Sequence, residues 1–436
     1  MQVLVYTSKA SPRVTYIFST LLYATGFKNY HFTNDLYYFR NYPEPKINYS
    51  LTRITEGEIW ISPVPLLFEA GIKLQEIHCF NLPHTPYFFK INSDLPFDIF
   101  AASFYLLTRY EEYLPHEKDM YGRYAHENSI AFQQNFLHLP AINVWLDELK
   151  KLIVKKYPSI TLKPNNFRFI PTYDIDIAWS YKQKGWLRNA GGLLKSISKG
   201  QLRAAKQRIA VLAGKERDPF DSYEWLDGLH KEYNLSPVYF FLLAQKNKGY
   251  DKNILPTRTP FKQLIINLNT KYKTGIHPSW QSGDDEAILL KEIQILEEIT
   301  KAKVERSRQH YIRMSLPDTY RKLIEAGIKE DYSMGYGSIN GFRASYCLPY
   351  KWYDLEKEQV TDLIIFPFCY MDANSYFEQK FSSEKALQEM RDYYTVVKQV
   401  NGYFITIWHN HFLGTDNMFT GWREVYETFT KQISQD

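Results

Sequence analysis

After residue 163, strand-like apolar runs alternate with helix-like periodicities, which predicts an α/β protein on a parallel sheet, open or closed into a barrel. Residues 1–163 carry strand and helix signals of their own and end at Lys163-Pro164-Asn165-Asn166, a linker-like stretch. The division is therefore a smaller N-terminal α/β domain, 1–163, and a second domain, 164–436. The residues able to do chemistry fall at strand ends, where sheets and barrels of this class gather function.

In the first part, residues 1–6 form a strand candidate and 13–25 a helix. Short strands are expected at 58–62 and 87–90. Apolar spacing predicts helices over 98–113, with Ile99, Phe104, Leu107 and Tyr110, and over 140–156, with Ile142, Trp145, Leu146, Leu149 and Ile153. In the second part the strand candidates are 167–173, 237–243, 275–277, 310–314, 363–369 and 403–408. The helices between them are 222–233, 261–272, 284–299, 318–326, 384–400 and 421–433. Asp284 and Asp285 sit where a helix N-terminus favours acids.

Composition narrows the classes. The chain has 436 residues, 44% apolar and 23% charged, as in ordinary soluble globular proteins. A net charge of +5 is too mild to make the chain a nucleic-acid binder. Cys79, Cys347 and Cys369 are widely spaced, so neither a disulfide framework nor a thiolate zinc site is implied, and reduced thiols fit the cytoplasm. Residues 1–6 lack a basic region followed by a cleavage site, and no run of about 18 apolar residues exists to span a membrane. The aromatic fraction of 17% suits carbohydrate sites and aromatic cores alike. From Lys182 to Arg217 there are ten Lys or Arg against one acid, Glu216, with an amphipathic run over 193–212. That segment reads either as a solvated basic helix or as a surface for anionic lipid or a phosphate-bearing substrate.

The chemistry starts at Pro171-Thr172-Tyr173-Asp174-Ile175-Asp176. Side chains alternate along a strand, so Asp174 and Asp176 share a face, and two adjacent carboxylates repel unless a cation or a shared proton relieves them. His277 ends a short apolar strand, and imidazole with carboxylate suits zinc or another divalent first-row ion. Arg308 could hold one carboxylate ionised, and on a strand His310 would share its face. His409 ends the strand 403–408 and can donate a proton near neutral pH; His411 follows it. There is no Gly-x-Ser-x-Gly elbow and no Walker loop, and Gly335, Gly337 and Gly341 lack nucleotide-loop spacing.

In this order the motifs resemble the polysaccharide deacetylases of carbohydrate esterase family 4. The resemblance covers about residues 167 to 415. It implies a deformed (β/α) barrel of polysaccharide-deacetylase type and a metal-dependent deacetylation of N-acetylated or O-acetylated sugars. Within it, Thr172-Tyr173-Asp174-Ile175-Asp176 is similar to the first motif, which implies Asp174 as general base and Asp176 as metal ligand. His277-Pro278-Ser279-Trp280-Gln281 is similar to the second, with His277 a ligand but Gln281 where a second His belongs. Arg308-Gln309-His310-Tyr311 resembles the third, which implies Arg308 as the residue orienting the base; His310 is the candidate for the missing ligand. Asp331 and Gly341-Phe342-Arg343 lie near the place of the fourth, and His409 resembles the catalytic His of the fifth. With Leu95-Pro96-Phe97-Asp98 and Arg109-Tyr110-Glu111-Glu112-Tyr113, the whole chain resembles deacetylase-like proteins of Bacteroidetes type, in which an uncharacterised domain comes first. Two alternatives stay open: hydrolysis of other non-peptide C–N bonds, and a glycan-binding protein that has lost its metal.

Overall fold

The computed structural model describes residues 2–43, 45–81, 85–163 and 165–434. The first part holds a parallel sheet of β1 (Gln2–Thr7), β2 (Asn29–Thr33), β3 (Lys46–Tyr49) and β4 (Ile59–Trp60), in the order β2-β1-β3-β4. The helix Pro12–Thr25 packs beside it. Ser11 caps the Val14 N–H, Pro12 opens the first turn, and Gly26 at φ 103° ends the helix. A short hairpin follows, β5 (Phe80–Asn81) with β6 (Pro86–Tyr87), so the strand expected at 87–90 is displaced to its first residue and the one before.

The helix expected over 98–113 is two pieces, Ile99–Leu107 and a 3-10 turn Tyr110–Tyr113. Arg109 breaks it with φ 55°. The break turns Arg109, Glu111 and Glu112 inward, where they meet Arg343 from the second part. The two parts therefore share a buried ionic network. They also share their largest apolar cluster, which includes Val3, Phe104 and Trp145 together with Tyr173, Tyr353 and Phe429.

The second part is built on nine strands: β7 (Arg168–Ile175), β8 (Val238–Leu242), β9 (Lys273–His277), β10 (Arg306–Ser307), β11 (Glu330–Asp331), β12 (Tyr350–Asp354), β13 (Gln359–Ile365), β14 (Tyr370–Met371) and β15 (Tyr403–His409). Their order is β12-β13-β11-β10-β9-β8-β7-β15-β14, and every pair but β12 with β13 is parallel. The sheet rolls on itself. The Phe368 N–H donates to the Met334 carbonyl at 3.1 Å, which ties the chain before β14 to the chain after β11. Val238, Phe240, Tyr332, Phe368, Ile405 and Ile407 fill the inside of the roll as a cluster of their own. Tyr239, Phe241, Phe404 and Trp408, the alternate residues of the same strands, face the outer helices. This two-residue alternation is the signature of a filled barrel wall. The fold is α/β: a deformed (β/α) barrel preceded by a smaller α/β region.

The expected strand 310–314 is not a strand. Pairing stops at Ser307, and His310–Ile312 forms a 3-10 turn with Tyr311 at φ 60° and Ile312 at φ 52°. Strand 363–369 begins earlier, at Gln359, and ends at Ile365. The amphipathic run 193–212 is split by Gly200 into the helices Trp186–Ser198 and Leu202–Leu212. Among the described residues, no helix is long and apolar enough to cross a membrane.

Candidate active site

β7 presents Thr172 and Asp174 to the inside of the barrel, and Asp176 follows with the same parity just past the strand end. β9 brings His277 alongside, because it pairs with β8 in register Leu242 to His277. Gly275 makes that approach possible: a Cβ there would sit 2.7 Å from the Arg306 carbonyl oxygen and 2.7 Å from the Phe240 ring. His310 arrives from the tight turn after β10. Its two left-handed successors, one of them a β-branched Ile, mark a backbone held in an unfavourable conformation, a feature that clusters at functional sites.

Asp176, His277 and His310 each offer one ligand atom, and the three atoms lie within 4.8 Å of one another. His277 Nε2 is 3.2 Å from Asp176 Oδ1 and 3.8 Å from Asp174 Oδ2. His310 Nε2 and His409 Nε2 are each 3.7 Å from Asp176 Oδ2. The other nitrogen of every ring is held from behind. His277 Nδ1–H donates to the Arg308 carbonyl at 2.5 Å, His310 Nδ1 meets Asp251 Oδ1 at 3.0 Å, and His409 Nδ1 meets Asp372 Oδ1 at 2.7 Å. Partners of this kind fix the tautomer and leave Nε2 as a ligand atom.

The trio suits a divalent cation. Asp176 Oδ1 is buried and accepts no hydrogen bond, although His277 Nε2 is 3.2 Å away. With the His277 proton on Nδ1, the two atoms face each other as lone pairs, which is repulsive until a cation lies between them. Two imidazole nitrogens with one carboxylate oxygen match the ligand chemistry of zinc.

The charges around the trio are strongly biased. Burial pushes the Asp176 carboxyl up, but His310 and His409 outweigh it and hold the carboxyl well below the usual carboxylate range. Burial lowers His310, yet Asp176 and Asp251 raise it to about 9. Burial likewise lowers His409, and Asp372, Asp176 and Asp174 raise it to about 10. Arg308 is fully buried. Its Nη1 donates to Thr172 Oγ1 at 2.6 Å and to Asp174 Oδ1 at 3.4 Å, its Nε donates to the Tyr332 carbonyl at 3.0 Å, and its guanidinium lies over Phe240. Arg308 and His310, expected to share a strand face, diverge instead: Arg308 points to the barrel interior and His310 to Asp251.

Gln281, where the motif calls for His, does not reach the trio. Its Nε2 donates to Asp251 Oδ2 at 3.0 Å and to the Lys246 carbonyl at 3.2 Å, so it braces the carboxylate that braces His310. Asp331 and Arg343 also lie apart. Asp331 accepts from Ser307 and Ser333, and Arg343 joins Glu112. The sequence reading missed Asp251 and Asp372. Asp372 follows β14 immediately, a strand-end acid like Asp174, and that was its one legible signal.

The trio, with Asp174 and His409, opens into a cavity of about 590 Å³. Its walls include Asp174, Asp176, His277, His310, His409 and His411, and the aromatic side chains Tyr121, Tyr250, Tyr311 and Phe377. Tyr121 comes from the N-terminal region, and its neighbour Arg123 donates to the Tyr311 carbonyl at 2.6 Å. The ring centroids of Tyr121 and Tyr250 are 5.6 Å from each other and 5.4 and 5.1 Å from that of Tyr311.

Residues 3–158 match a family of unknown function, DUF7033. No curated protein matches the chain. Among solved structures, one from Mycobacterium smegmatis assigned as a polysaccharide deacetylase aligns at 15% identity with a TM-score of 0.40, covering 63% of this chain and 91% of that one. One from Pseudomonas aeruginosa PAO1, with the same assignment, aligns at 13% identity and TM-score 0.38, covering 62% and 85%. A polysaccharide deacetylase from Bacillus cereus aligns at 9% identity and TM-score 0.29, covering 61% and 88%. The likeness to these structures is slight.

Proposed function

We propose that the chain is a metal-dependent hydrolase that removes acetyl groups from N-acetylated or O-acetylated sugars or glycans. The observation that supports it best is the bare, buried Asp176 Oδ1 facing His277 Nε2 at 3.2 Å, with His310 beside them and an Arg-held carboxylate next to them. A divalent ion, zinc in the first instance, bound by Asp176, His277 and His310 would supply polarisation of the acyl oxygen and a lower pKa for water, from ~15.7 towards ~7. Arg308 fixes Asp174, so its carboxylate is oriented to take the proton of the attacking water. His409, kept protonated by Asp372, donates to the departing nitrogen or oxygen. A C–O bond to water forms, the acyl C–N or C–O bond breaks, and acetate and the freed sugar leave. Tyr121, Tyr250 and Tyr311 offer flat faces for a sugar ring. In this proposal residues 164–436 carry the chemistry, residues 1–163 shape the mouth of the site, and the enzyme works in the cytoplasm.

The test is acetate release from N-acetylglucosamine oligomers by the purified, zinc-loaded protein. EDTA should abolish release, and Asp174→Asn should abolish it while zinc stays bound. Turnover retained by Asp174→Asn would overturn the role of Asp174. Release of amine from cyclic amides without acetate would move the substrate to other non-peptide C–N bonds.

A further inference from the structure

The segment from Lys182 to Arg217 leaves the end of β7 and returns to the helix Tyr223–Glu232 as a helical hairpin, Trp186–Ser198 and Leu202–Leu212. It is anchored firmly. Asp218 accepts the backbone N–H groups of Ser180 at 2.7 Å, Tyr181 at 2.8 Å and Lys182 at 2.9 Å, and Arg208 lies over the Tyr181 ring and donates to Asn189. A soluble surface helix turns its apolar stripe to the core. In the first helix of the hairpin the pattern is reversed, and in the second much of the apolar surface stays outside. The first helix buries Asn189 and Ser196, whereas Trp186 is 77% exposed, Leu187 68% and Leu194 68%, with Ile197 exposed on the same face. The second buries only Ala205 and Val211, and exposes Leu202, Ile209 and Leu212. A groove of about 530 Å³ between the helices is walled by Trp186, Leu193, Ile209 and Leu212.

Basic residues flank this apolar face. Ten Lys or Arg stand against one acid in the segment, and Lys195, Lys199, Arg203 and Lys206 are exposed with no ion-pair partner among the described residues. Apolar side chains along the exposed faces of the hairpin, edged by unpaired cations, complement one surface chemistry in particular: hydrocarbon beneath a layer of anionic headgroups.

We propose that this hairpin docks the protein peripherally onto an anionic lipid bilayer. The hairpin is the first connection after the strand that carries Asp174, so docking would set the carboxyl-end rim of the barrel, with the cavity, towards the membrane. Docking is read by binding and hydrolysis by turnover, so the failure of one leaves the other standing.

The test is co-sedimentation of the full-length protein with vesicles of phosphatidylglycerol and phosphatidylcholine, and with vesicles of phosphatidylcholine alone. Binding should be confined to the anionic vesicles and should fall roughly tenfold or more between low and high salt, since the Debye length shrinks from about 30 Å at 0.01 M to about 3 Å at 1 M. The triple variant L187S/L194S/I197S and the charge variant K195E/K199E/K206E should each lose binding with an unchanged circular dichroism spectrum. Equal binding to neutral vesicles, or none to anionic ones, would overturn the proposal. So would a self-association seen by size-exclusion chromatography that the serine variant abolishes, since the face would then belong to a second copy of the chain.

Discussion

Replacing Asp251 by Asn should weaken zinc binding without unfolding the protein. Asp251 Oδ1 accepts from His310 Nδ1 at 3.0 Å and from the Trp280 N–H at 2.9 Å, and Oδ2 accepts from Gln281 Nε2 at 3.0 Å. Both oxygens face donors only. An asparagine that keeps its oxygen on His310 points its amide N–H groups at Gln281, which must turn and give up its bond to the Lys246 carbonyl. An asparagine turned the other way faces His310 with N–H groups, and the imidazole then carries its proton on Nε2, where the ligand lone pair should be. Loss of such a supporting carboxylate costs about 10–100-fold in metal affinity, roughly 1.4–2.7 kcal/mol. Competition against a chromophoric chelator measures it directly. Gln281→Leu, one contact further out, should cost less than Asp251→Asn. A variant Asp251→Asn that binds zinc within twofold of the unaltered protein would refute the argument that His310 is a ligand braced through Asp251.

Three other outcomes follow from the buried charges. Glu112 is pushed up by burial, but Arg343 and Arg109 hold it at about 2 against an ordinary 4.5. The paired state thus adds stability above pH 4.5 that is lost as pH falls towards 2, and Glu112→Gln should cost roughly 3 kcal/mol in denaturant melts at neutral pH, a loss under about 1 kcal/mol contradicting it. Glu292 is raised by burial to about 7. Between pH 4.5 and 7 the native state keeps that proton and the unfolded chain does not, so stability falls as pH rises through this window; Glu292→Gln should be more stable than the unaltered protein by roughly 3 kcal/mol at pH 8 and equal to it at pH 4. His230 is buried against the Tyr173 hydroxyl and lowered by burial to about 4, so its share of stability, present above pH 6.5, is lost as pH falls towards 4, and His230→Gln should flatten the acid limb of the melting curve.

The barrel was legible where strands are buried on both faces. β8 is an unbroken apolar run and β15 one with Thr406 alone inside it, and their observed ends, Val238–Leu242 and Tyr403–His409, lie within a residue of the expected ones. The Asp174 and Asp176 pair was legible because strand parity alone puts both carboxylates on one side. The stretch 310–314 misled because its alternation of Tyr311, Ile312 and Met314 with Arg313 looks like a strand, while the backbone turns left-handed to carry His310 to Asp251 and Asp176. Asp251 has no local pattern and Asp372 only its place at a strand end: their partners, His310 and His409, are 59 and 37 residues away in the chain. β2 was passed over because Asn29–Thr33 is a half-exposed edge strand with little apolar signal. In the sequence the hairpin shows as a basic composition with an amphipathic run over 193–212. Sequence placed basic and apolar residues together, and only the packing told which of them face outward.

In the proposed function Asp176, His277 and His310 together hold one divalent ion. Metal content after zinc loading and desalting tests it most directly. About one equivalent of zinc is expected in the unaltered protein and less than about a tenth in Asp176→Ala and His277→Ala, each still folded by circular dichroism. An unaltered protein with less than about a tenth of an equivalent, or an Asp176→Ala variant that keeps its zinc, would contradict it.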